Sequence, residues 1–369
     1  MSDIQQKVQE VVDELVASGA ERGVQAAVYH DGVLVADAVA GVADAATGRP
    51  LTSDTPIFST SMGKGVAATL VHVLVERGLL DYDTPIAELW PEFAAHGKGS
   101  ATVRHALTHS VGVPGVPEDL KPEDLFDWDR MCSYIAGAEP WWEPGTQTGY
   151  HTLTFGYIVG EVIRRATGKP VGQVLREEIS GPLGIADELY FGVPESRLDA
   201  VAKLEDIPGA AEMMAAMPAD LPMFKTAPPS VAPTAALYNR PDFLTSDILA
   251  GGTMTARAVA RMYAALLGEV DGVRLISPER LREVTAPAAT GTDQVFGFPA
   301  TRTLGYDFGA PIKNTGDTPT AFGFAGTNGA AVSADTATGT VVAVTKTLIA
   351  MGQFTAYEKV AEAVAEALR

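Results

Sequence analysis

One short stretch and the apolar run behind it constrain this sequence most. Phe58 to Gly65 has the sequence Phe-Ser-Thr-Ser-Met-Gly-Lys-Gly, and Val66 to Val75 is almost wholly apolar. The pattern predicts a buried helix that begins near Ser61 and ends near Gly78, with Ser61 and Lys64 on one face. A serine hydroxyl is a weak nucleophile until a base removes its proton, and an amine one turn away can do this or hold the charge of the group that does. The helix N-terminus favours a developing anion beside the serine.

The spacing Ser-x-x-Lys does not establish a catalytic site alone, because a chain of 369 residues can contain it by chance. The alternative is a helix N-cap serine followed by a solvated lysine. The rest of the chain has to decide between these two interpretations.

Composition and charge limit the classes of partner. The chain is 46% hydrophobic and 20% charged, which indicates a globular protein with one large or two interleaved domains. A net charge of -19 disfavours nucleic acid and anionic membrane, since both bind basic faces.

Cys132 is the only cysteine and is predicted to be a buried structural thiol. Because no run approaches a membrane span and no signal core is visible, we expect a cytoplasmic protein.

Strand patterns lie at both ends of the chain, and helical patterns lie between them. A capping box at Ser2 precedes a helix through Leu15, and a second one at Thr355 opens a final helix. The predicted strands are Val24 to Tyr29 and Val33 to Val39 around the turn His30-Asp31-Gly32, then Leu304 to Phe308, Ala321 to Val332 and Val341 to Leu348. This order predicts an α+β fold in which an antiparallel sheet, built from both termini and flanked by helices, holds a mainly helical domain inserted in the middle.

The predicted sheet domain comprises residues 1–60 and 250–369, and the predicted helical domain comprises residues 61–249. Within the latter, residues 208–241 are rich in methionine, proline and alanine and include Met213, Met214, Met223 and Phe224. We predict an irregular cover over a pocket, with methionines as an adaptable apolar wall. An ordinary packed connection is the alternative.

Three further segments follow Ser61 and Lys64 along the chain, and their order is typical of one protein superfamily. Tyr150 follows the turn Trp-Trp-Glu-Pro-Gly-Thr, Val103 to Pro114 combines a helix with a turn, and residues 322–329 form the Gly-rich strand Phe-Gly-Phe-Ala-Gly-Thr-Asn-Gly. Together with Ser61-x-x-Lys64 this layout resembles the serine β-lactamase and penicillin-binding protein superfamily, across nearly the whole chain. The branch it resembles most is the class C β-lactamase-like esterases, also called family VIII carboxylesterases.

The resemblance implies a role for each matched residue. Ser61 would be the acylated nucleophile, Tyr150 the general base, and Lys64 the residue that keeps this pair in working protonation states. A tyrosine normally ionises near pH ~10, so Tyr150 would need a cationic neighbour, such as Lys64, to depress its pKa. Whether Lys64 or Tyr150 accepts the proton stays open.

The Gly-rich strand would complete the site. Matching Phe324-Ala325-Gly326 to the family's Lys-Thr-Gly or His-Gly-Gly triplet makes the N–H groups of Ser61 and Thr327 the oxyanion donors, worth about 3–4 kcal/mol each. Gly326 would let the strand approach the substrate closely.

Two departures from the β-lactamase pattern favour an uncharged ester. Phe324 replaces the lysine or histidine of the triplet, and Thr152 replaces an asparagine after the tyrosine. Both changes remove polar groups that would hold a β-lactam, whereas Phe324 offers an apolar wall. Lys313 to Gly316 and Lys346-Thr347 are poorer matches to the triplet, because no small-residue strand surrounds them.

Other residues are candidates for the pocket wall or for competing sites. His151, Trp141, Met223 and Ala325 are predicted to contact substrate, although a structural role for His151 and a core role for Trp141 are alternatives. Thr108 to Gly112 is similar to a nucleophile elbow around Ser110 but lacks its first glycine and preceding strand. The six histidines show no metal-ligand spacing, so no metal site is predicted.

The sequence therefore predicts a serine hydrolase that cleaves small carboxylic esters through an acyl-enzyme. It predicts no metal or organic cofactor, and neither nucleic acid nor membrane as a partner. The alternatives are acyl transfer to an alcohol or amine, β-lactamase or D-amino-acid peptidase activity, and a non-enzymatic binding protein on the same fold. The natural acyl and alcohol groups and the oligomeric state stay open.

Overall fold

Strands from both ends of the chain meet in one antiparallel sheet. The structure is a computed structural model that describes residues 3–309 and 320–369; the capping box at Ser2 and the segment from Lys313 to Gly316 lie outside them. The strands are β1 Gly23–His30, β2 Val33–Asp44, β3 Arg49–Pro50, β4 Ile57–Ser59, β5 Leu189–Tyr190, β6 Glu205–Asp206, β7 Gly252–Met254, β8 Ala289–Thr292, β9 Pro299–Arg302, β10 Asp307–Phe308, β11 Ala321–Ala325, β12 Ala331–Asp335, β13 Thr340–Lys346 and β14 Leu348–Ile349. Among the described residues, nine strands form the sheet in the order β3-β2-β1-β13-β12-β11-β10-β9-β8.

Helices cover both faces of this sheet and fill the middle of the chain. They are α1 Asp3–Ala17, α2 Met62–Glu76, α3 Ile86–Leu89, α4 Val103–Leu107, α5 Trp128–Gly137, α6 Thr154–Thr167, α7 Val171–Leu175, α8 Ala210–Ala215, α9 Pro222–Thr226, α10 Ala235–Tyr238, α11 Pro241–Leu244, α12 Ala256–Leu267, α13 Pro278–Thr285 and α14 Thr355–Ala367. This arrangement confirms the predicted α+β fold. The domain boundaries stay a prediction.

Alternation along β1 separates two apolar cores. Val24, Ala26 and Val28 pack with residues of α1 and α14 on one face of the sheet. Ala27 and Tyr29 point to the other face and join the larger core, which includes α2, α6 and α12. Successive side chains of a strand alternate between faces, so one short strand serves both cores.

Helix α2 lies inside the larger core, as its apolar sequence predicts. Every residue from Met62 to Val75 is buried, and Gly78 adopts the left-handed conformation (φ +71°) that closes the helix. The helix begins one residue after Ser61, so the serine sits at its N-terminal end.

Several local predictions differ from the structure, among them the strand predicted from Leu304 to Phe308, which is only β10, and the strand predicted from Val341 to Leu348, which is divided into β13 and β14. The strand predicted from Ala321 to Val332 is two strands, β11 and β12, joined by a turn at Gly329 (φ +87°). Thr355 is the first residue of α14, and the N-cap, Phe354, makes no side-chain cap. Residues 208–241 contain the short helices α8, α9 and α10, where an irregular segment was expected. No helix within residues 3–309 and 320–369 combines the length and apolarity of a membrane span.

Candidate active site

A small three-stranded sheet fixes the chain at Ser61. β4 ends at Ser59, and β7 pairs with it so that Ser59 lies opposite Gly252. The N-terminus of α2 then crosses the segment before β7 very closely, because a Cβ on Gly63 would lie 2.1 Å from the carbonyl carbon of Gly251. Glycine at position 63 is thus required for this crossing, which brings the Ala250 carbonyl to Lys64.

Lys64 is buried beside the serine. Its Nζ donates to Ser61 Oγ at 3.3 Å and to the Ala250 carbonyl oxygen at 3.2 Å. Burial lowers the pKa of the amine to about 7, against an opposing effect of Asp307 and with a further lowering by Arg302. Near neutral pH a large fraction of Lys64 is therefore unprotonated and able to accept a proton.

Tyr150 approaches the same hydroxyl from another segment. Its side chain lines the cleft together with Ser61 and Lys64, and interaction with the Ser61 side chain acts to lower the pKa of the phenol. Lys64 Nζ lies 5.0 Å from the centre of its ring, and the His109 ring stacks on it with centroids 4.8 Å apart. The expected net depression of the Tyr150 pKa is not found: burial, assisted by Asp307, raises it above its usual value and outweighs the lowering by the Ser61 side chain and by the Arg302 cation.

The loop after β11 closes the site from the opposite side. Thr60 Oγ1 donates to Asn328 Oδ1 at 3.0 Å and accepts from the Asn328 N–H at 3.3 Å, which fixes the loop beside Ser61. A Cβ on Gly326 would lie 2.4 Å from Thr60 Oγ1 and 3.5 Å from the Ser61 nitrogen. Glycine at 326 thus makes room for Thr60 and Asn328, and Thr327 lies at the wall of the cleft.

Ser61 opens into an apolar cleft of ≈ 130 Å³. Met223 lines it, and residues 214–238 together supply more of the lining than any other stretch of the chain. The lining includes Ser61, Lys64, Leu125, Tyr150, Thr152, Met214, Met223, Phe224, Ala227, Val231, Leu237, Tyr238, Phe243, Ile248, Phe296, Thr327 and Met351. Among these described residues Lys64 is the one cationic side chain, and none carries a carboxylate.

The predicted triplet does not form a substrate wall. Phe324 is 1% exposed and packs against α2. A Cβ added to Gly65 of that helix would lie 3.4 Å from the Phe324 Cβ. Ala325 points to the opposite face of the sheet and packs on the core of α1 and α14. Neither residue, nor Gly326, lines the cleft.

His151 and Trp141 also lie outside the lining of the cleft. The His151 ring is buried, where Nε2 accepts from the Val113 N–H at 3.1 Å and Nδ1 contacts the Gly149 carbonyl oxygen at 2.7 Å. Burial lowers the pKa of His151 to about 4, so the ring is neutral and structural. Trp141 is 42% exposed and packs against Gly115.

A group of buried charges beside Tyr150 was missed by the sequence analysis. Asp293 accepts a hydrogen bond from the Tyr150 N–H and pairs with Arg302, which also pairs with Asp307. Asp293 lies between β8 and β9, far along the chain from Tyr150. The one local signal is an acid between aromatic residues in Gly-Tyr-Asp-Phe-Gly, residues 305–309. Within the described residues, no three histidine, cysteine or acidic side chains are grouped as metal ligands would be.

Comparisons with known proteins identify the family of the chain. A family model described as Beta-lactamase matches residues 8–364. The Esterase/beta-lactamase LipL of Mycobacterium tuberculosis is 35% identical over 328 residues, which are 86% of this chain and 75% of that protein. The crystal structure of a family VIII carboxylesterase is 32% identical, with a TM-score of 0.88 and coverage of 99% of this chain and 97% of that one.

A penicillin-binding protein homolog from Caulobacter crescentus is 33% identical, with a TM-score of 0.84 over 99% of this chain and 98% of that one. These relatives confirm the predicted resemblance and support the predicted class of enzyme, a carboxylesterase-type hydrolase. The chain belongs to the beta-lactamase family.

Proposed function

We propose that this protein is a serine hydrolase that cleaves small, uncharged carboxylic esters through an acyl-enzyme on Ser61. One observation carries the proposal: an amine with a pKa of about 7 donates to the Ser61 hydroxyl at 3.3 Å, and the Tyr150 ring, with its centre 5.0 Å from that amine, lines the same apolar cleft. A nucleophile in contact with a base of suitable pKa is the requirement for covalent acyl transfer.

Lys64 is the better proton acceptor of the two candidates. Its amine is partly neutral near pH 7, whereas the raised pKa of Tyr150 keeps the phenol protonated. Lys64 accepts the Ser61 proton as Oγ bonds to the ester carbon. The leaving alkoxide then takes a proton from the Tyr150 phenol, which recovers one from Lys64. A water that gives its proton to Lys64 then attacks the acyl carbon. When the bond from that carbon to Ser61 Oγ breaks and the acid leaves, Lys64 returns the proton to Oγ.

The oxyanion of each tetrahedral intermediate lies between the N–H groups of Ser61 and Thr327. The contacts of Thr60 with Asn328 support this role, because they hold the Thr327 loop against the start of α2. Fixed donors of this kind stabilise the developing charge without reorganisation during the reaction.

The character of the cleft supports an ester without a charge near the scissile bond. Its wall is formed by methionine, leucine, valine and phenylalanine side chains, and its one cation, Lys64, already contacts Ser61. A substrate carboxylate would be desolvated there without a free partner, at a cost of several kcal/mol. This argues against β-lactams and D-amino-acid peptides as good substrates.

The decisive experiment compares two serine variants. Ser61→Ala should lower kcat/KM for p-nitrophenyl butyrate by about 10,000-fold or more, because removing a nucleophile leaves only binding and oxyanion stabilisation. Ser110→Ala is the matched control: Ser110 Oγ bonds Thr108 Oγ1 at 2.9 Å outside the cleft, and its variant should keep most of the activity once folded.

Mass spectrometry after treatment with a fluorophosphonate should place the adduct on Ser61. Retained activity of Ser61→Ala would overturn the proposal, and an unlabelled Ser61 would favour a binding protein. Nitrocefin turnover equal to ester turnover would change the substrate class to β-lactams. Products with added alcohol or amine acceptors would separate hydrolysis from acyl transfer.

A further inference from the structure

Tyr150 is held from two sides by main-chain contacts. On one side, Gly149 N–H donates to the His109 carbonyl oxygen at 3.0 Å, and His151 N–H donates to His109 Nδ1 at 3.0 Å. On the other side, Gln294 N–H donates to the Thr148 carbonyl oxygen at 3.0 Å. The segment between β8 and β9 therefore packs along one side of the chain around Tyr150. We call this segment the β8–β9 wall.

Asp293 is the centre of that wall. Its buried carboxylate accepts from the Tyr150 N–H at 3.0 Å, from the N–H groups of Val295 and Phe296 at 2.9 and 3.0 Å, and from the Arg302 guanidinium at 2.9 Å. A buried carboxylate with this many donors is fully satisfied and resists displacement. The same group thus fixes the Tyr150 main chain and the turn that places Phe296, whose ring centroid lies 5.6 Å from that of Tyr150.

Arg302 connects this wall to the reacting groups. Its guanidinium donates to Asp293 through one nitrogen and to Asp307 through another at 2.5 Å, and its Cζ lies 5.3 Å from the centre of the Tyr150 ring. Lys64 Nζ lies 5.0 Å from the centre of the same ring. The ring of Tyr150 therefore has two cations near it, and cations within about 6 Å of an aromatic centre are attracted to its face.

The charges of this group leave one negative charge opposite Lys64. Asp293, Arg302 and Asp307 together carry one net negative charge when both carboxylates are ionised, and Lys64 balances it when the amine is protonated. Asp307 raises the pKa of the Lys64 amine, while burial and Arg302 lower it. Burial raises the pKa of Asp307 itself, and Arg302 and Lys64 oppose that rise. His109, the other titratable group against Tyr150, is neutral because burial lowers its pKa well below the usual value.

We propose that Asp293, Arg302 and Asp307 are positioning residues for the reaction: Asp293 fixes the Tyr150 main chain, and Asp307, held by Arg302, stabilises the ammonium that Lys64 becomes when it accepts the Ser61 proton. This inference rests on the proposed function, since it assigns a role relative to Ser61, Lys64 and Tyr150. Preorganised charge of this kind stabilises a charge that develops during the reaction.

The test is the dependence of kcat/KM on pH. In the wild-type protein kcat/KM for p-nitrophenyl butyrate should rise as the pH increases through about 7, where Lys64 loses its proton. Asp307→Asn removes the anion that favours the ammonium, so the acid limb should move to lower pH by about one unit. The plateau should fall by about tenfold, because a weaker base accepts the proton less well.

Charge-preserving variants separate this role from a structural one. Asp307→Glu keeps the anion and should leave the acid limb near its wild-type position, even if the plateau falls. Asp293→Asn should lower kcat by about 10–100-fold with little change in KM, because misplacement of a catalytic group affects the reaction more than binding. Glu161→Gln is the matched control: Glu161 is a buried carboxylate paired with Arg165 and Trp128 away from the cleft, and its variant should keep the wild-type pH profile.

Each outcome decides between the two proposals. An inactive Ser61→Ala protein combined with an unshifted acid limb in Asp307→Asn would overturn the positioning role and leave the hydrolase assignment intact. Activity in Ser61→Ala would overturn the hydrolase assignment itself. If Asp307→Asn does not fold, the Arg302 variants take its place. Arg302→Met removes a cation that lowers the pKa of Lys64, so the acid limb should move to higher pH, whereas Arg302→Lys keeps the charge and should leave the limb near its wild-type position. Identical acid limbs in the two variants would overturn the positioning role.

Discussion

The floor of the cleft, formed by Ser61, Lys64 and Tyr150, and its cover, residues 208–241, hold their side chains in different ways. At the floor, polar contacts come from segments far apart in the chain: Lys64 contacts Ala250, and Tyr150 contacts Asp293, 143 residues away. In the cover, the side chains that face the cleft are apolar apart from the Tyr238 phenol, and they make van der Waals contacts. A few polar contacts tie the cover to the body, such as the bond of 2.7 Å between Thr226 Oγ1 and Thr152 Oγ1.

This difference separates reactivity from selectivity. Directional contacts to the floor fix positions to within the tolerance that proton transfer needs, and a small displacement there changes the rate strongly. Apolar contacts in the cover change binding in proportion to the area buried, about 25 cal/mol per Å². Substitutions at the floor should therefore lower kcat, whereas substitutions in the cover should change KM and chain-length preference.

The largest effect is expected at Lys64. Lys64→Met keeps the length and apolar stem of the side chain but removes the base, so kcat/KM for p-nitrophenyl butyrate should fall by about 1,000-fold or more. Lys64→Arg should not restore activity, because a guanidinium does not lose its proton near neutral pH. The measurement is steady-state kinetics on protein shown by circular dichroism to be folded.

A second buried lysine provides the control. Lys98 Nζ donates to the carbonyl oxygens of Ala95, Ala136 and Ala138 away from the cleft. Lys98→Met should lower the melting temperature but leave kcat of the folded fraction near the wild-type value. If kcat fell equally in Lys64→Met and Lys98→Met, Lys64 would act through stability alone. The proposed difference between a reactive floor and a selective cover would then be wrong.

An intermediate effect is expected at the loop that holds Thr327. Gly326→Ala places a Cβ where Thr60 and Asn328 now lie, at 2.4 and 2.6 Å from their oxygens. Since those two side chains bond each other, the loop should shift and kcat should fall by about 10–100-fold through loss of oxyanion stabilisation.

Gly137→Ala serves as the comparison for Gly326→Ala, because a Cβ there meets nothing within 4 Å. Its kinetics should match those of the wild-type protein. A Gly326→Ala protein with unchanged kcat and a raised KM would instead place this loop with the cover, as a binding element.

The parts predicted correctly from the sequence are those with a local cause. The apolar run after Ser61 gave a buried helix, and His30-Asp31-Gly32 gave the hairpin of β1 and β2, because periodicity and turn chemistry act over a few residues. The contacts around Asp293 could not be predicted, because they join segments that no sequence pattern relates. The pKa of Tyr150 was predicted in the wrong direction for the same reason: burial depends on the whole fold.

One error was avoidable. Phe324 and Ala325 are neighbours in β11, so their side chains must point to opposite faces of the sheet, and both could not line one cleft. The structure places Phe324 against α2 and Ala325 against the core of α1 and α14. The apolar wall expected from Phe324 comes from the cover.

The smallest effect is expected in the cover, and it tests the comparison most directly. Met223→Ala removes apolar surface from the cleft wall, so KM for p-nitrophenyl butyrate should rise by about three- to tenfold while kcat changes by less than about twofold. Met213 is the matched control: it is 53% exposed and does not line the cleft, so Met213→Ala should leave both constants unchanged. Esters of graded acyl length should show the Met223→Ala protein shifted toward longer chains, because the vacated space accepts additional methylene groups. A fall in kcat as large as that in Gly326→Ala would instead mean that the cover also positions the reacting groups.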